Sequence, residues 1–245
     1  MEWRDEGILV SVRPHGEGSA ILEMFTAEHG RHFGLVRGGG SRRMAPVLQP
    51  GAQLSVEWRA RLEEHLGSYT VDPIRSRAAQ IMSDRASLAA ASAAAALISL
   101  CLPEREAHRR FYARTLHLMD AIGADPHWRG TYVRWELALL AEMGFGLDFT
   151  ECAATGVQQD LIYVSPKSGR AVSRRGGEDY ADRLLPLPRF LHHDDPQPVS
   201  EADAAAGLRM TGHFLRHWLL PALGRDGLPP ARERLDRAMR ATGAE

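Results

Sequence analysis

The chain has 245 residues, of which 44% are hydrophobic and 25% are charged, and its formal net charge is -1. A chain of this length can bury a hydrophobic core as one large domain or as two or three small ones. The balanced charge excludes nucleic-acid binding through overall basicity, so any cationic binding surface must be local.

The cellular location follows from what the sequence lacks. Two cysteines, Cys101 and Cys152, cannot form a disulfide framework, and the N-terminal MEWRDEGILV is not a signal peptide. The apolar run from Ala89 to Leu102 is too short and too rich in alanine to cross a membrane. We therefore expect a cytoplasmic protein with no membrane partner.

The first part of the chain, to about residue 72, has the pattern of a small β-barrel. Its apolar runs are separated by turns that glycine and proline mark, which is typical of a five-stranded OB-type barrel; an SH3-like barrel has much the same signature. The predicted strands are Gly7 to Arg13, Ala20 to Phe25, Arg31 to Val36, Gln53 to Trp58 and His65 to Val71. Asp72-Pro73 is predicted to end the β pattern.

A glycine-basic loop follows the third predicted strand. A window without acidic residues, between Glu28 and Glu57, contains Arg31, Arg37, Arg42 and Arg43. A nucleotide-binding phosphate loop is excluded, because no lysine follows the glycines and further strands come next. The pattern favours a cationic loop that holds a polyanion, and a surface loop with incidental arginines is the alternative.

Helical patterns dominate after Pro73. The predicted helices are Ile74 to Leu102 with a cap or break at Ser83-Asp84, Ala107 to Ile122, Trp128 to Met143, Glu201 to Leu220 after the N-cap Ser200, and Pro229 to about Arg240. Residues 150–190 form a loop-rich insertion with a hairpin of Leu161 to Val164 and Arg170 to Arg174.

These patterns predict an α+β multi-domain protein. An OB-type barrel occupies residues 1–74, a helical domain residues 75–149 and 191–245, and the insertion residues 150–190. The insertion has the length and turn content of a zinc ribbon but only one cysteine, so it lacks the ligands that a tetrahedral zinc site needs.

We find no catalytic signature. His213 and His217 have the spacing of a zinc pair on a helix, but the metalloprotease motif is absent, and His192 to Asp195 has no second cluster to complete a site. Cys152 is more readily a structural thiol than a nucleophile. We expect no enzyme, no cofactor and no metal.

The chain resembles the RecO family of bacterial DNA repair proteins over nearly its whole length. No single motif is decisive, but their order and spacing together are specific. The matching segments are Glu17 to Leu22, Phe25-Thr26 with His29-Gly30, the loop from Arg37, Leu48-Gln49-Pro50, Trp135-Glu136-Leu137 with Gly144-Phe145, Asp160 to Arg174, Leu184 to Pro188, Phe214 to His217, and Pro229 to Arg232.

The resemblance implies a recombination mediator. Such a protein binds single- and double-stranded DNA, anneals complementary strands, and with RecR helps to load RecA onto strands coated by single-stranded-DNA-binding protein. It also implies RecA-coated or RecF-containing assemblies as partners, and a nucleoid-associated location. Many members carry C-x2-C twice, whereas this chain has Cys152 and Thr155 in the first pair and Ser173 and Gly176 in the second. We predict no zinc.

Three sets of residues follow as predicted contacts. Arg37, Arg42 and Arg43, with Arg31, are expected to bind DNA phosphates, and Phe33 either stacks on a base or belongs to the barrel core. A second DNA-contacting set is Lys167, Arg170, Arg174 and Arg175. The acidic tail of single-stranded-DNA-binding protein is expected at Arg109, Arg110, Arg129 and Arg134. A protein-interaction scaffold without DNA binding is the alternative function.

Overall fold

The computed structural model describes residues 1–192 and 198–242. Its contacts divide the chain into two compact units, Met1–Ala124 and Asp125–Glu245. The first unit contains five strands and the three α-helices that follow them, and the second contains the remaining elements. No helix in the described ranges is long and apolar enough to cross a membrane.

The strands of the first unit form a closed barrel in the order β1-β2-β3-β5-β4. Their bounds are β1 Glu2–His15, β2 Ser19–Thr26, β3 Gly30–Val36, β4 Gln53–Arg59 and β5 Ser68–Arg75. This is the five-stranded barrel of an OB-fold. The predicted fold class, an N-terminal OB-type barrel followed by helices, is therefore confirmed.

The barrel closes because β1 is long enough to pair with two strands. Its first half pairs with β4, from Glu2 opposite Arg59 to Ile8 opposite Gln53, and its second half pairs with β2. A β-bulge between Leu9 and Ser11 shifts the register between β1 and β2. Bulges bend and twist a strand, so one strand can serve two edges of the barrel.

The predicted bounds of the first and fifth strands are wrong. β1 begins at Glu2 rather than Gly7, because its first residues alternate between exposed charges and half-buried side chains instead of forming an apolar run.

The fifth strand, β5, begins at Ser68 rather than His65 and runs past Asp72 to Arg75. Pro73 is tolerated there because it lies opposite Leu54, next to a register shift, at the far end of β5, where β4 is the only partner among the described strands.

The barrel core contains aliphatic residues and a cluster of rings. His32 is only 3% exposed, and its ring lies 5.1 Å from Trp3 and 4.9 Å from Trp58. Its Nδ1 donates to the carbonyl oxygen of Phe33 at 2.9 Å. Burial lowers the pKa of His32 to about 4. The native barrel therefore holds a neutral imidazole.

This pKa predicts a loss of stability in acid. An unfolded histidine titrates near 6.5, so between about pH 6.5 and 4 the unfolded chain binds a proton that the folded chain rejects. The contribution of His32 is complete above pH 6.5 and falls as the pH approaches 4. The urea midpoint of the parent should therefore drop more between pH 7 and 4.5 than that of His32→Gln. Exposed His15→Gln is the control, and equal drops in all three proteins would contradict the prediction.

Helices of the first unit pack on the barrel. Their bounds are α1 Ala78–Ile81, α2 Arg85–Cys101 and α3 Arg109–Ala121. The predicted break at Ser83-Asp84 is present, because the Asp84 carboxylate caps α2 by accepting from the amides of Ala86 and Ser87. Phe25 of β2 contacts Phe111 and Tyr112 of α3, with ring centroids 6.1 and 5.5 Å apart.

The second unit combines helices with the predicted insertion. Its helices are α4 Trp128–Glu142, α5 Glu201–Phe214, α6 Leu220–Ala222 and α7 Pro230–Thr242, with a π-helical turn at Leu215–Leu219. The predicted N-cap is present, since the Ser200 hydroxyl accepts from the Asp203 amide at 3.1 Å. The insertion contains β6 Leu161–Val164, β7 Ala171–Ser173 and β8 Leu185–Pro186, in the order β7-β6-β8.

Candidate nucleic-acid interface

The glycine-basic loop is folded against the turn between β1 and β2. The Gly40 amide donates to the carbonyl of Gly18 at 3.1 Å, and the Ser41 amide donates to Gly38 at 3.0 Å. A Cβ at Gly39 would lie 2.9 Å from the Cβ of Ala20, so only glycine allows this close approach. The loop is therefore held in place at its glycines while its side chains face outward.

The loop arginines are free cations. Arg37, Arg42 and Arg43 are all exposed. Over residues 1–192 and 198–242, none of the three is paired with a carboxylate. An exposed guanidinium without a partner can bind a phosphate bidentately without first breaking an ion pair.

A half-buried apolar strip lies beside the loop, on the outer surface of the barrel. Side chains alternate along β3, so Phe33 and Leu35 share the outer face that leads to Arg37. Ile21 of β2 is opposite Leu35, and Arg13 of β1 is opposite Ile21. We call Arg13, Ile21, Phe33, Leu35, Arg37, Arg42 and Arg43 the cationic face.

Phe33 lies outside the barrel core. Its ring is half-buried and has guanidinium groups on either side along the strands, Arg13 at 5.8 Å and Arg31 at 5.5 Å from the centroid. The core cluster is built from other side chains, such as Leu22, Met24 and Val56. This position speaks against the barrel-core role that the sequence left open for Phe33, and stacking on a base stays a prediction.

Sequence reasoning missed Arg13. The residue is exposed and lies at the far end of β1, next to the turn on which the loop rests. Its place on the cationic face depends on the bulge at Leu9 and Ser11, which changes the side of β1 that faces outward. The alternation of side chains along β1 could not place Arg13 on this face, although the sequence does show a cation close to the first turn.

A groove of about 490 Å³ continues the cationic face on the other side of β3. Among the described strands, β3 and β5 are paired at Leu35 and Ser68 alone. The groove is lined by Leu35, Val36, Arg37, Met44, Ser68, Tyr69, Thr70 and Val71. Arg37 therefore stands between the apolar strip and the groove.

Arg31 differs from the other predicted phosphate contacts. Its side chain is only 13% exposed, and its Nη1 pairs with the fully buried Glu23 at 2.8 Å. Its Nε donates to the carbonyl of Leu102 at 3.0 Å, and Glu104 lies within 3.8 Å. Arg31 thus joins β3 to β2 and to the end of α2, and we leave it out of the cationic face.

The second predicted set is largely neutralised. Arg170 pairs with Glu151 at 2.7 Å and lies 3.6 Å from Asp148, and Arg174 pairs with Asp160 at 3.2 Å. Lys167 and Arg175 are exposed. The acidic partners leave this surface with little net positive charge.

The predicted partner-binding arginines are distributed over the two units. Arg109 and Arg110 belong to the first, where exposed Arg109 forms an ion pair with Glu28 whose hydrogen bond lowers the pKa of that carboxyl. In the second, Arg129 lies 3.8 Å from Glu201, and Arg134 donates to the carbonyl of Phe190 at 2.8 Å. Arg110 is exposed.

Taken together, the barrel defines an OB-fold protein with a cationic, partly apolar outer face. Family models match almost the whole chain: "Recombination protein O N terminal" matches residues 1–77 and "Recombination protein O C terminal" matches residues 82–226. The chain therefore belongs to the RecO family of DNA repair proteins, as the sequence motifs predict.

Relatives named "DNA repair protein RecO" support this assignment. The relative from Roseobacter denitrificans is 56% identical, with 96% of each chain covered. The relative from Jannaschia sp. is 55% identical over 96% of this chain and 95% of its own length. That from Dinoroseobacter shibae is 53% identical, again with 96% of each chain covered. A role in DNA repair follows.

Proposed function

We propose that the protein is a recombination mediator that binds DNA through the cationic face of its barrel. The observation that carries this proposal is the combination, on one surface, of a half-buried apolar strip with three exposed arginines that pair with no carboxylate among the described residues. Arginine alone would bind any polyanion, whereas an adjoining aromatic ring also offers a stacking platform for an unpaired base.

The chemistry of this face favours single strands. Arg37, Arg42 and Arg43 would neutralise phosphates and release counterions, which makes the affinity independent of sequence and sensitive to salt. Phe33 can stack only on a base that is not already paired and stacked in a duplex. Duplex DNA would use the phosphate contacts alone and bind more weakly at this face.

Annealing requires no catalytic group in this scheme. Complementary strands repel each other through their phosphates, and neutralisation by arginine lowers that repulsion. The bases then pair through their own hydrogen bonds. We therefore propose a non-enzymatic activity that consumes no nucleotide and needs no cofactor.

The family resemblance supports further partners. We propose that the protein acts with RecR, docks the acidic tail of single-stranded-DNA-binding protein, and helps to load RecA in the nucleoid-associated cytoplasm, alone or within RecF-containing assemblies. Arg110 is the best of the four predicted tail contacts, because Arg109, Arg129 and Arg134 already have partners within their own units.

The DNA proposal is tested with fluorescently labelled single strands across a salt series. Replacing Arg37, Arg42 and Arg43 together with alanine should weaken binding about tenfold to a hundredfold at 0.1 M salt and make the salt slope shallower by roughly 2. Phe33→Leu should weaken binding with an unchanged slope, because stacking releases no counterion.

A matched control removes equal charge elsewhere. Arg61, Arg85 and Arg114 are exposed arginines of the same unit outside the cationic face, and their joint replacement with alanine should change binding far less. Equal losses of DNA affinity in the two triple variants would show that net charge, and not the cationic face, determines binding. A parent protein that binds no DNA at low salt would favour the protein-interaction scaffold.

A further inference from the structure

Two turns of the insertion meet at a single sulfur atom. One turn contains Cys152 and Thr155 and the other contains Ser173 and Gly176, so each has the two-residue spacing of a zinc-binding turn. The Cys152 Sγ accepts from the amide of Ser173 at 3.2 Å and from its hydroxyl at 3.3 Å. The structure thus brings together the four positions that the family resemblance pairs.

The space at this point does not fit a zinc ion. In a tetrahedral site each sulfur lies about 2.3 Å from zinc, which places neighbouring sulfurs about 3.8 Å apart. Here a Cβ at Gly176 would lie 2.9 Å from the Cys152 Sγ and 3.1 Å from the Ser173 Oγ, so the turns have closed on each other. Among residues 1–192 and 198–242, no group of three histidine, cysteine or acidic side chains could hold a metal.

The histidines do not supply the missing ligands. His213 and His217 have ring centroids 4.5 Å apart, and no third ligand-type side chain joins them within the described ranges. The segment from His193 to Asp195, considered above as a ligand cluster, lies outside the described residues.

Hydrogen bonds connect the two turns, as a bound metal ion does in a zinc site. The Gly176 amide donates to the Ser173 hydroxyl at 3.1 Å, and that hydroxyl donates to the Cys152 sulfur. Backbone bonds support the first turn, from Cys152 to Val157 at 2.7 Å and from Gly156 to Cys152 at 2.8 Å. Burial favours the neutral thiol, but hydrogen bonds from Ser173, Thr155 and Ala154 outweigh it and lower the pKa of Cys152 to about 6.

We propose that this cluster is a pair of zinc-binding turns that works without metal, with the Cys152 sulfur as the common hydrogen-bond acceptor in place of the ion. Each of the other three ligand positions has a specific task. Ser173 donates two hydrogen bonds to the sulfur, and the Thr155 hydroxyl donates another. Gly176 has no side chain, which allows the two turns to approach each other closely. The insertion is therefore independent of metal, and the role of Cys152 is that of a hydrogen-bond acceptor.

The first test compares acceptors at position 152. Cys152→Ser keeps an acceptor and should retain most of the thermal stability, whereas Cys152→Ala leaves buried donors of Ser173 unpaired and should lower the Tm by about 5 °C. Buried Cys101→Ala, on α2 of the other unit, controls for the loss of a thiol. Equal Tm values for the serine and alanine variants would overturn the acceptor role.

The second test concerns the metal. The parent protein should contain no stoichiometric zinc by elemental analysis, and EDTA should leave its Tm unchanged. The variant Thr155→Cys/Ser173→Cys/Gly176→Cys should bind one equivalent of Co²⁺ with the absorption of a four-thiolate site. Zinc in the parent, or a folded triple variant that binds no Co²⁺, would refute the proposal.

A third variant keeps the proposal testable if the triple variant fails to fold. Gly176→Ala should lower the Tm, because the new Cβ meets the Cys152 sulfur, and the double variant Cys152→Ala/Gly176→Ala should lose less than the sum of the two single changes. Additive losses would show that the two turns do not meet at this sulfur.

Discussion

Replacing Glu136 with alanine should destabilise the second unit by about 3–5 kcal/mol. Glu136 of α4 and Arg232 of α7 form an ion pair in which both side chains are fully buried. The Arg232 Nη2 lies 3.0 Å from the Glu136 Oε2 and also donates to the carbonyl of Leu208 on α5 at 2.9 Å. Removing the carboxylate leaves a buried guanidinium with Asp236 as its one remaining acidic partner among the described residues.

The urea midpoint, followed by circular dichroism, measures this loss. Asp226→Ala removes an exposed carboxylate of the same unit and should change the free energy of unfolding by less than about 0.5 kcal/mol. The double variant Glu136→Leu/Arg232→Met should recover most of the stability, since apolar side chains of similar volume can replace a buried pair. A Glu136→Ala midpoint equal to that of the parent would show that this pair does not hold the helices together.

The sequence predicts local elements well in this protein. The five strands, the Asp84 and Ser200 caps and the hairpin of the insertion all arise from signals within a few residues, namely alternation, turn glycines and capping side chains. Two of the boundary errors occur where a neighbouring strand overrides the local pattern, at the charged start of β1 and at Pro73.

The candidate site could be predicted only in part, because some side chains contact partners that are distant in the sequence. The loop arginines were visible because their charge stands alone in the sequence. By contrast, Glu136 and Arg232 are 96 residues apart, and Arg31 reaches the carbonyl of Leu102, 71 residues away. No periodicity links such residues, so the sequence could not separate the structural arginine at position 31 from the exposed ones.

The buried Arg77 is another example of this kind. Its side chain is fully buried, and it donates to Asp120 at 2.7 Å, to the carbonyl of Gly51 at 3.0 Å and to Gln53 at 3.2 Å. It thereby joins the start of α1 to β4 and to α3. A guanidinium can be buried in this way only when several acceptors surround it, and these acceptors come from two segments that are distant in the sequence, residues 51–53 and Asp120.

The other large effect concerns Arg31. Arg31→Met should destabilise the first unit by about 3 kcal/mol while leaving the salt slope of DNA binding unchanged. The Glu23 carboxylate is fully buried and accepts from Arg31 at 2.8 Å, Ser11 at 2.8 Å and Ser99 at 2.7 Å. Without the guanidinium the two hydroxyls remain, but the buried negative charge has lost its counter-charge.

Measurements of stability and of DNA binding therefore distinguish the role of Arg31 from that of the loop arginines. Arg37→Ala should keep the parent's urea midpoint and make the salt slope shallower by about 0.7. Arg31→Met should lower the urea midpoint and leave the salt slope unchanged. Glu23→Gln/Arg31→Met should regain stability, because a neutral amide can keep bonds to Ser11 and Ser99 and needs no cation. An Arg31→Met protein that is as stable as the parent but binds with a shallower slope would return Arg31 to the DNA interface.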